Sequence, residues 1–318
     1  MGNGAGTGPP RVQIQTQSGC NGRCIFCPNE TTLKSGFEMG KMPFELFQRI
    51  IDQLAETGPE KVMLYLQNEP LNDARLPQFV EYLSKRIPET TSLVTSNGTR
   101  LTPDMGEGLV EAGLKRLKVS LQSLDDETNK RIMGYEASNV VENVLAFKEL
   151  LKRKRSRMDL RVSMVVHSNN FEEIEDARRF WKKHGIRLVT SALENRGGNI
   201  AGAEDLNLGR QMTHCNQCIR PSREMCVLFN GQVVLCCVDW FRTVVCGDLS
   251  QQSLSEVWNS GVYRHVRAAF LEGDMSKLPE ICVNCTESAC PNGHRRQTPW
   301  RQLVDSFLGP FVGKPAPR

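Results

Sequence analysis

The chain has 318 residues, with 40 Lys and Arg against 36 Asp and Glu, for a net charge of +4 at pH 7. That length suits one large domain with a small companion, and the mild charge gives no footing for a nucleic-acid partner. No apolar run approaches the roughly 20 residues that span a bilayer, so no membrane partner is expected. Residues 1–10 are Gly/Pro-rich and lack a charged-then-apolar signal pattern, which predicts a flexible leader and a cytoplasmic protein. Without a signal peptide, twelve cysteines point to metal rather than to a disulfide framework.

Between residues 11 and about 192, short apolar runs alternate with helix-period segments. Strands are predicted over 12–17, 61–66, 91–95, 116–120, 160–166 and 187–191. Helices are predicted over 43–56, 74–86, 103–112, 139–152 and 171–184. Pro43 and Pro103 stand where a first helical turn tolerates proline. The basic run 152–157 follows an amphipathic stretch and reads as a solvated helix end. Six strands alternating with helices predict an α/β fold with a parallel sheet and crossover helices. Such sheets place their chemistry at the carboxyl ends of the strands.

The cysteines fall into two groups, three in one N-terminal loop and nine between Cys215 and Cys290. Cys20, Cys24 and Cys27 stand in C-x3-C-x2-C spacing within C-N-G-R-C-I-F-C-P. Three thiolates on one tight loop can bind three irons of a four-iron cluster, leaving the fourth iron to a ligand that is not protein. Zinc usually takes paired ligands from two separate places, which this loop does not offer.

That spacing, followed by Pro28, resembles the radical S-adenosylmethionine (radical SAM) superfamily. The resemblance implies a partial (β/α)6 barrel and a [4Fe–4S] cluster whose open iron is chelated by SAM. SAM is then cleaved to a 5′-deoxyadenosyl radical, with electrons from an external donor of flavodoxin or ferredoxin type. Contacts to SAM are implied for Phe26, Asn68, Glu69, Ser96, Asn97, Ser120, Arg131, Asn195 and Arg196. In Gln67-Asn68-Glu69-Pro70 the first two residues replace the glycines of the family's G-G-E-P-like motif. A carboxylate and an amide carbonyl there can both accept from an ammonium. Ser96-Asn97-Gly98 matches the T-N-G segment, and Arg131 matches a position used for the SAM carboxylate, a task suited to a guanidinium fork. Asn195-Arg196-Gly197-Gly198 matches an N-R-x-G pattern. His167 ends the fifth strand as a candidate proton acceptor.

The second group carries Cys218, then Gly231 and Cys236, then Cys282-x2-Cys285. Residues 227–235 read as a β-hairpin with Asn230-Gly231 at its tip, and 253–259 begin a helix. The pattern resembles the SPASM and shorter twitch domains of radical SAM enzymes. It implies at least one auxiliary [4Fe–4S] cluster, with Cys218, Cys236, Cys282 and Cys285 as ligands. The remaining cysteines, Cys215, Cys226, Cys237, Cys246 and Cys290, default to small buried hydrophobes. Cys246 departs from the family pattern and is the expected hydrogen-atom donor, with Cys226 or Cys290 as substitutes. The expected division is a leader (1–10), a barrel (11–209), an auxiliary domain (210–292) and a tail (293–318).

The resemblance to neomycin-type aminoglycoside epimerases implies inversion of a C–H centre in an aminoglycoside or related sugar-like metabolite, with Cys246 returning hydrogen. The alternative is a butirosin-type dehydrogenase oxidising an aminocyclitol or sugar alcohol to a ketone, which needs no thiol donor. Peptide modification is a third reading. Glu30, Glu69, Asp73 and Asp239 are the carboxylates expected to receive a cationic substrate.

Overall fold

The computed structural model describes residues 8–208 and 218–286. Strand β1 (Arg11–Ile14) buries Val12 and Ile14 completely, and Gln13 nearly so. A strand covered on both faces belongs inside a parallel sheet. Parallel to it run β2 (Lys61–Met63), β3 (Thr91–Ser96), β4 (Arg116–Ser120), β5 (Asp159–Val166) and β6 (Arg187–Ala192), in the order β6-β5-β4-β3-β2-β1. The helices between them are α1 (Asn29–Lys34), α2 (Phe44–Thr57), α3 (Leu76–Arg86), α4 (Pro103–Glu111), α5 (Asp126–Met133), α6 (Ala137–Arg153) and α7 (Ile174–Lys183). The α/β class and the six parallel strands expected from the alternation are present.

Helix α2 shows why these segments fold as they do. Phe47, Ile50, Ile51 and Leu54 recur at helical spacing, and all are fully buried. Phe47 meets Phe79 of α3 edge-on at 4.7 Å. Truncating such a phenylalanine to alanine costs about 3–5 kcal/mol. Along β4 and β5 burial alternates instead, leaving Lys118, Ser120, Arg161 and Ser163 on the less buried face. Ser120 Oγ lies 3.3 Å from Ser163 Oγ across that face.

The second module continues the same sheet. After α8 (Arg220–Arg223), β7 (Glu224–Val227) pairs in parallel with β1, Arg11 opposite Glu224 and Ile14 opposite Val227. β8 (Gln232–Val234) and β9 (Val245–Asp248) extend the sheet antiparallel. The β7–β8 hairpin turns over Leu228–Gly231, closed by Gly231 N–H to Leu228 O at 3.0 Å. Helices α9 (Leu254–Trp258), α10 (Gly261–Glu272) and α11 (Glu280–Val283) follow. A capping box between Ser253 and Glu256 starts α9. One apolar core runs through both modules, from Val12 and Phe47 to Trp258 and Tyr263.

The boundaries differ from expectation where the chain serves the mouth of the barrel. β1 ends at Ile14 rather than at residue 17, because Gln15 turns its side chain to Leu66 O and Phe229 N–H. β2 stops at Met63, and Gln67 beyond it takes a left-handed φ of 52°. Residues 171–173 form a 3-10 turn before α7. Helix α5 is an addition to the expected elements, started by Asp125, whose carboxylate accepts from Thr128 N–H at 2.8 Å. Among the described residues no helix is long and apolar enough to cross a membrane. The boundaries expected at 209/210 and 292/293 lie outside the described residues.

Candidate active site

The loop bearing Cys20, Cys24 and Cys27 is fastened to the end of α5. Arg23 N–H donates to Met133 O and Ile25 N–H to Ile132 O, both at 2.9 Å. Gly134 caps α5 at φ 86°, and a Cβ there would stand 3.0 Å from Arg23 Cβ, so only glycine lets the loop dock. Phe26 is buried with Ile132, Met133 and Leu193. A Cβ on Gly22 would stand 3.6 Å from Cys20 Sγ and 3.7 Å from Cys24 Sγ, so the two thiols flank a residue without a side chain. Burial pushes Cys20 up to about 12, and raises Cys24 and Cys27 as well. Iron charge offsets this kind of burial cost. Among the described residues no three His, Cys, Asp or Glu side chains close on a single metal ion. A four-iron cluster takes one thiolate at each separate iron, so a loop of spaced thiols fits it better.

Beside this loop the strand ends converge on Glu69, which is 2% exposed. Its carboxylate accepts from Ser96 Oγ at 2.6 Å, Asn97 N–H at 2.7 Å and Leu71 N–H at 2.9 Å. Burial raises its pKa to about 7 against the pull of those three donors. A carboxylate offers about four acceptor sites, so one remains for an ammonium. Asn97 Nδ2 donates to Asn21 Oδ1 of the cluster loop at 2.8 Å. Asn68 departs from expectation: its carbonyl oxygen accepts from Leu66 N–H at 2.8 Å, while its buried Nδ2 has no hydrogen-bond partner. It presents a donor rather than an acceptor.

Three further expectations change. Arg131 is exposed, because the buried face of α5 is Asn129, Ile132 and Met133. Asn195 spends its amide on Asn284 O, Gly197 N–H and Thr286 N–H, which fastens the segment around Cys285 instead of facing the barrel. His167 Nδ1 accepts from Asn169 N–H at 3.2 Å, so Nε2 carries the proton. That Nε2 is buried without a partner, and burial lowers the ring's pKa to about 4, which suits a neutral donor and not a base. Arg196 sits at φ 53° and pairs with Glu194 at 3.2 Å.

In the second module Cys218, Cys236, Cys282 and Cys285 line one cavity, with Leu235, Val238, Phe270 and Ile281 as its apolar wall. The cavity supplies four thiols on an apolar surface, the donor set that suits a fully protein-ligated cluster. Arg220 lines the same cavity, with Nη1 3.8 Å from Cys236 Sγ and Nη2 3.8 Å from Glu194. Glu194 therefore joins Arg196 to Arg220. Cys246 is elsewhere: it is 5% exposed in the main core, its pKa pushed up to about 12 by burial, with the Tyr263 hydroxyl beside it. Cys226 is buried with Leu66, Leu228 and Val234. Cys215 and Cys290 lie outside the described residues.

Of the four carboxylates expected to meet a cationic substrate, three are paired or caged and Glu69 keeps one acceptor site. Glu30 pairs with Lys34 on the surface of α1. Fully buried Asp73 pairs with Arg75. Glu69 is held as above. Asp239, fully buried, accepts from Thr243 N–H, Thr243 Oγ1 and Val244 N–H, each at 2.9 Å. That cage folds residues 239–244 into a knot and puts Arg242 in the left-handed region at φ 53°. Gln67 Nε2 donates to Asp239 O of this segment and to Cys237 O just before it, so the knot lies against the chain beyond β2. Gln67, Glu194, Arg220 and Arg242 went unremarked in the sequence as functional groups. Only the replacement of glycine by Gln67 was a visible signal.

The radical SAM superfamily model matches residues 14–181, and the SPASM iron–sulfur cluster-binding domain matches residues 218–286. S-adenosyl-L-methionine-dependent 2-deoxy-scyllo-inosamine dehydrogenase of Niallia circulans is 23% identical over 278 residues, covering 86% of this chain and 91% of that protein. The crystal structure of BtrN in complex with AdoMet and 2-DOIA matches with a TM-score of 0.59 at 20% identity, over 90% of this chain and 96% of that one. Streptococcus suis SuiB bound to precursor peptide SuiA matches with a TM-score of 0.66 at 16% identity, over 82% of this chain and 67% of that one. Both structural likenesses are likenesses of fold. The first family model alone covers more than half of the 318 residues. The chain belongs to the radical SAM superfamily, with a SPASM-type domain, and its cofactors are SAM, a [4Fe–4S] cluster and auxiliary iron–sulfur.

Proposed function

We propose that this enzyme is a radical SAM dehydrogenase that oxidises a secondary alcohol of a cyclitol or sugar-like molecule to a ketone. One observation carries the reading. The likeness to the 2-deoxy-scyllo-inosamine dehydrogenase runs through both modules, over 86% of this chain and 91% of that protein. The burial of Cys246 in the main core supports it, since an epimerase needs a thiol facing its substrate. The expected epimerase reading is therefore set aside.

Cys20, Cys24 and Cys27 hold the first cluster in this reading, and Cys218, Cys236, Cys282 and Cys285 hold the auxiliary one. When bound, the first cluster with SAM would supply the radical chemistry for removing the carbinol hydrogen atom, and the auxiliary cluster would offer an acceptor for one electron. The hydroxyl proton leaves to a base or to water, so the alcohol loses two protons and two electrons in all. Glu69 receives the ammonium of SAM at its remaining acceptor site, which requires the ionised carboxylate. Asn68 Nδ2 offers a donor to the SAM carboxylate. Gln67 ties residues 237 and 239 of the second module to the chain beyond β2.

The test is an anaerobic, reduced reaction in D2O with SAM and a panel of cyclitols and sugars, read by mass spectrometry. A product two mass units lighter than its substrate is expected. An isomeric product one unit heavier would overturn the reading in favour of epimerisation.

A further inference from the structure

Among the described residues lining the apolar cavity that gathers Cys218, Cys236, Cys282 and Cys285, Arg220 is the one with a fixed charge. Its Nη1 donates to Cys236 Sγ at 3.8 Å, and its side chain is 15% exposed. Arg220 opens α8, and Arg267 of α10 fastens that short helix by donating Nε–H to Pro221 O at 2.8 Å. The Arg267 guanidinium is itself stacked 4.0 Å over the Trp258 ring. The arginine beside the thiols is therefore set by the core of the second module. Its Nη2 lies 3.8 Å from Glu194 Oε1, just beyond β6. Glu194 Oε2 in turn meets Arg196 Nη1 at 3.2 Å. Burial raises Cys27 of the first loop, and Asn29 N–H and the Arg196 charge oppose that rise. One carboxylate thus stands between two guanidiniums, one bonded to Cys236 and the other acting on Cys27.

We propose that Arg220 sets the auxiliary cluster up as an electron acceptor, by a charge-assisted hydrogen bond to Cys236 Sγ that raises the cluster's reduction potential. Arg220 is a positioning residue and touches no reacting atom. The proposal rests on the reading above that these four thiols hold that cluster and that it takes an electron from the substrate. A cluster on four thiolates gains one negative charge on reduction, and a cation or a hydrogen bond at a ligand sulfur favours that state. An apolar wall screens the interaction little. Glu194 acts in the opposite sense, since its carboxylate opposes the added negative charge and draws on the same guanidinium. Once the carbinol carbon has lost its hydrogen atom, loss of the hydroxyl proton and of one electron forms the C=O bond. That electron is the one the cluster takes.

The experiment is an anaerobic redox titration of the reconstituted full-length protein without substrate, followed by electron paramagnetic resonance. The auxiliary signal is the one that persists when Cys20, Cys24 and Cys27 are all replaced by alanine, and iron analysis checks the loading of each variant. Arg220→Gln is expected to lower the reduced-to-oxidised ratio at a fixed potential about tenfold or more, a downward shift of about 59 mV or more for a one-electron couple. Glu194→Gln should raise the ratio, and Arg220→Lys, which keeps the charge, should fall between wild type and Arg220→Gln. Both glutamine variants break the same ion pair, so a merely structural tether would move them together. Equal potentials in wild type and Arg220→Gln, or a shift of one sign in both glutamine variants, overturns the proposal. If Arg220→Gln fails to hold its iron, a ratio that does not rise in Glu194→Gln overturns it instead. Ketone formed per 5′-deoxyadenosine, measured on the same proteins, tests the reading beneath. Opposite shifts with no ketone formed by wild type would overturn the dehydrogenase reading and leave the role of Arg220 standing. Ketone formed at unmoved potentials would do the reverse.

Discussion

Gln67 Nε2 stands 3.0 Å from Asp239 O and 3.2 Å from Cys237 O, so one side chain at the end of β2 holds the auxiliary module against the barrel. It does so from a left-handed backbone that costs roughly 1–2 kcal/mol for a residue with a Cβ. Two bonds of about 1 kcal/mol each offset that cost.

Two substitutions separate these terms. Gln67→Ala keeps the strain and loses both bonds, so we expect a loss of about 2 kcal/mol. Gln67→Gly loses the bonds and the strain together and should end up within about 1 kcal/mol of the wild type. Denaturant unfolding of the reconstituted protein ranks them. If alanine proves at least as stable as glycine the backbone there is not strained, and if alanine matches the wild type the two bonds contribute nothing.

His167 makes stability fall with acid. Its folded pKa is about 4, below the ordinary 6.5, so between those values the unfolded chain binds a proton that the folded chain refuses. The contribution is fully present above pH 6.5 and is lost as pH falls toward 4. We expect wild type to lose about 2 kcal/mol more than His167→Gln between pH 7.5 and 5. Parallel pH curves for the two proteins would show that the ring is not held neutral.

Cys246 is a test of reaction type. As a core thiol its replacement by alanine leaves a small void, at a cost of about 1 kcal/mol. Turnover measured as 5′-deoxyadenosine and ketone should persist. Abolished turnover in a variant that keeps its melting temperature would return Cys246 to the role of hydrogen donor.

Cys282→Ala tests the auxiliary site. Iron and sulfide analysis should find roughly four fewer irons per chain, with substrate-independent reductive cleavage of SAM retained. Loss of SAM cleavage as well would mean that the two cysteine sets do not act as separate sites.

The barrel was legible because its signals are local. The periods of α2 and β5, the spacing of Cys20, Cys24 and Cys27, and the Glu69 and Ser96-Asn97 strand ends all lie within a few residues of one another. Cys218 and Cys236 come to line one cavity with Cys282 and Cys285, so the spacing at least foretold which thiols the fold gathers. What escaped was set by distant partners. Arg131 matched a motif, but the face of α5 was chosen by Ile132 and Met133 packing under the loop. Asn195 matched another, but its amide was claimed by residues 284 and 286, some ninety positions away. Cys246 looked available because nothing nearby in the chain foretold the cover provided by Tyr263 and Trp258.

The pairing of β1 with β7 joins residues 213 positions apart, Arg11 with Glu224. A contact that distant closes late, because the loop entropy must be met before the pairing rewards it. Emerging from the ribosome, β1 has β2 on one side and no neighbour on the other until residues 224–227 are made. The cluster loop springs directly from that half-supported strand. Maturation should therefore follow synthesis: iron loaded onto a stalled chain ending before residue 224 is expected to be labile, and iron loaded after release to be retained. In this architecture the last strand to arrive completes the floor under the first metal site.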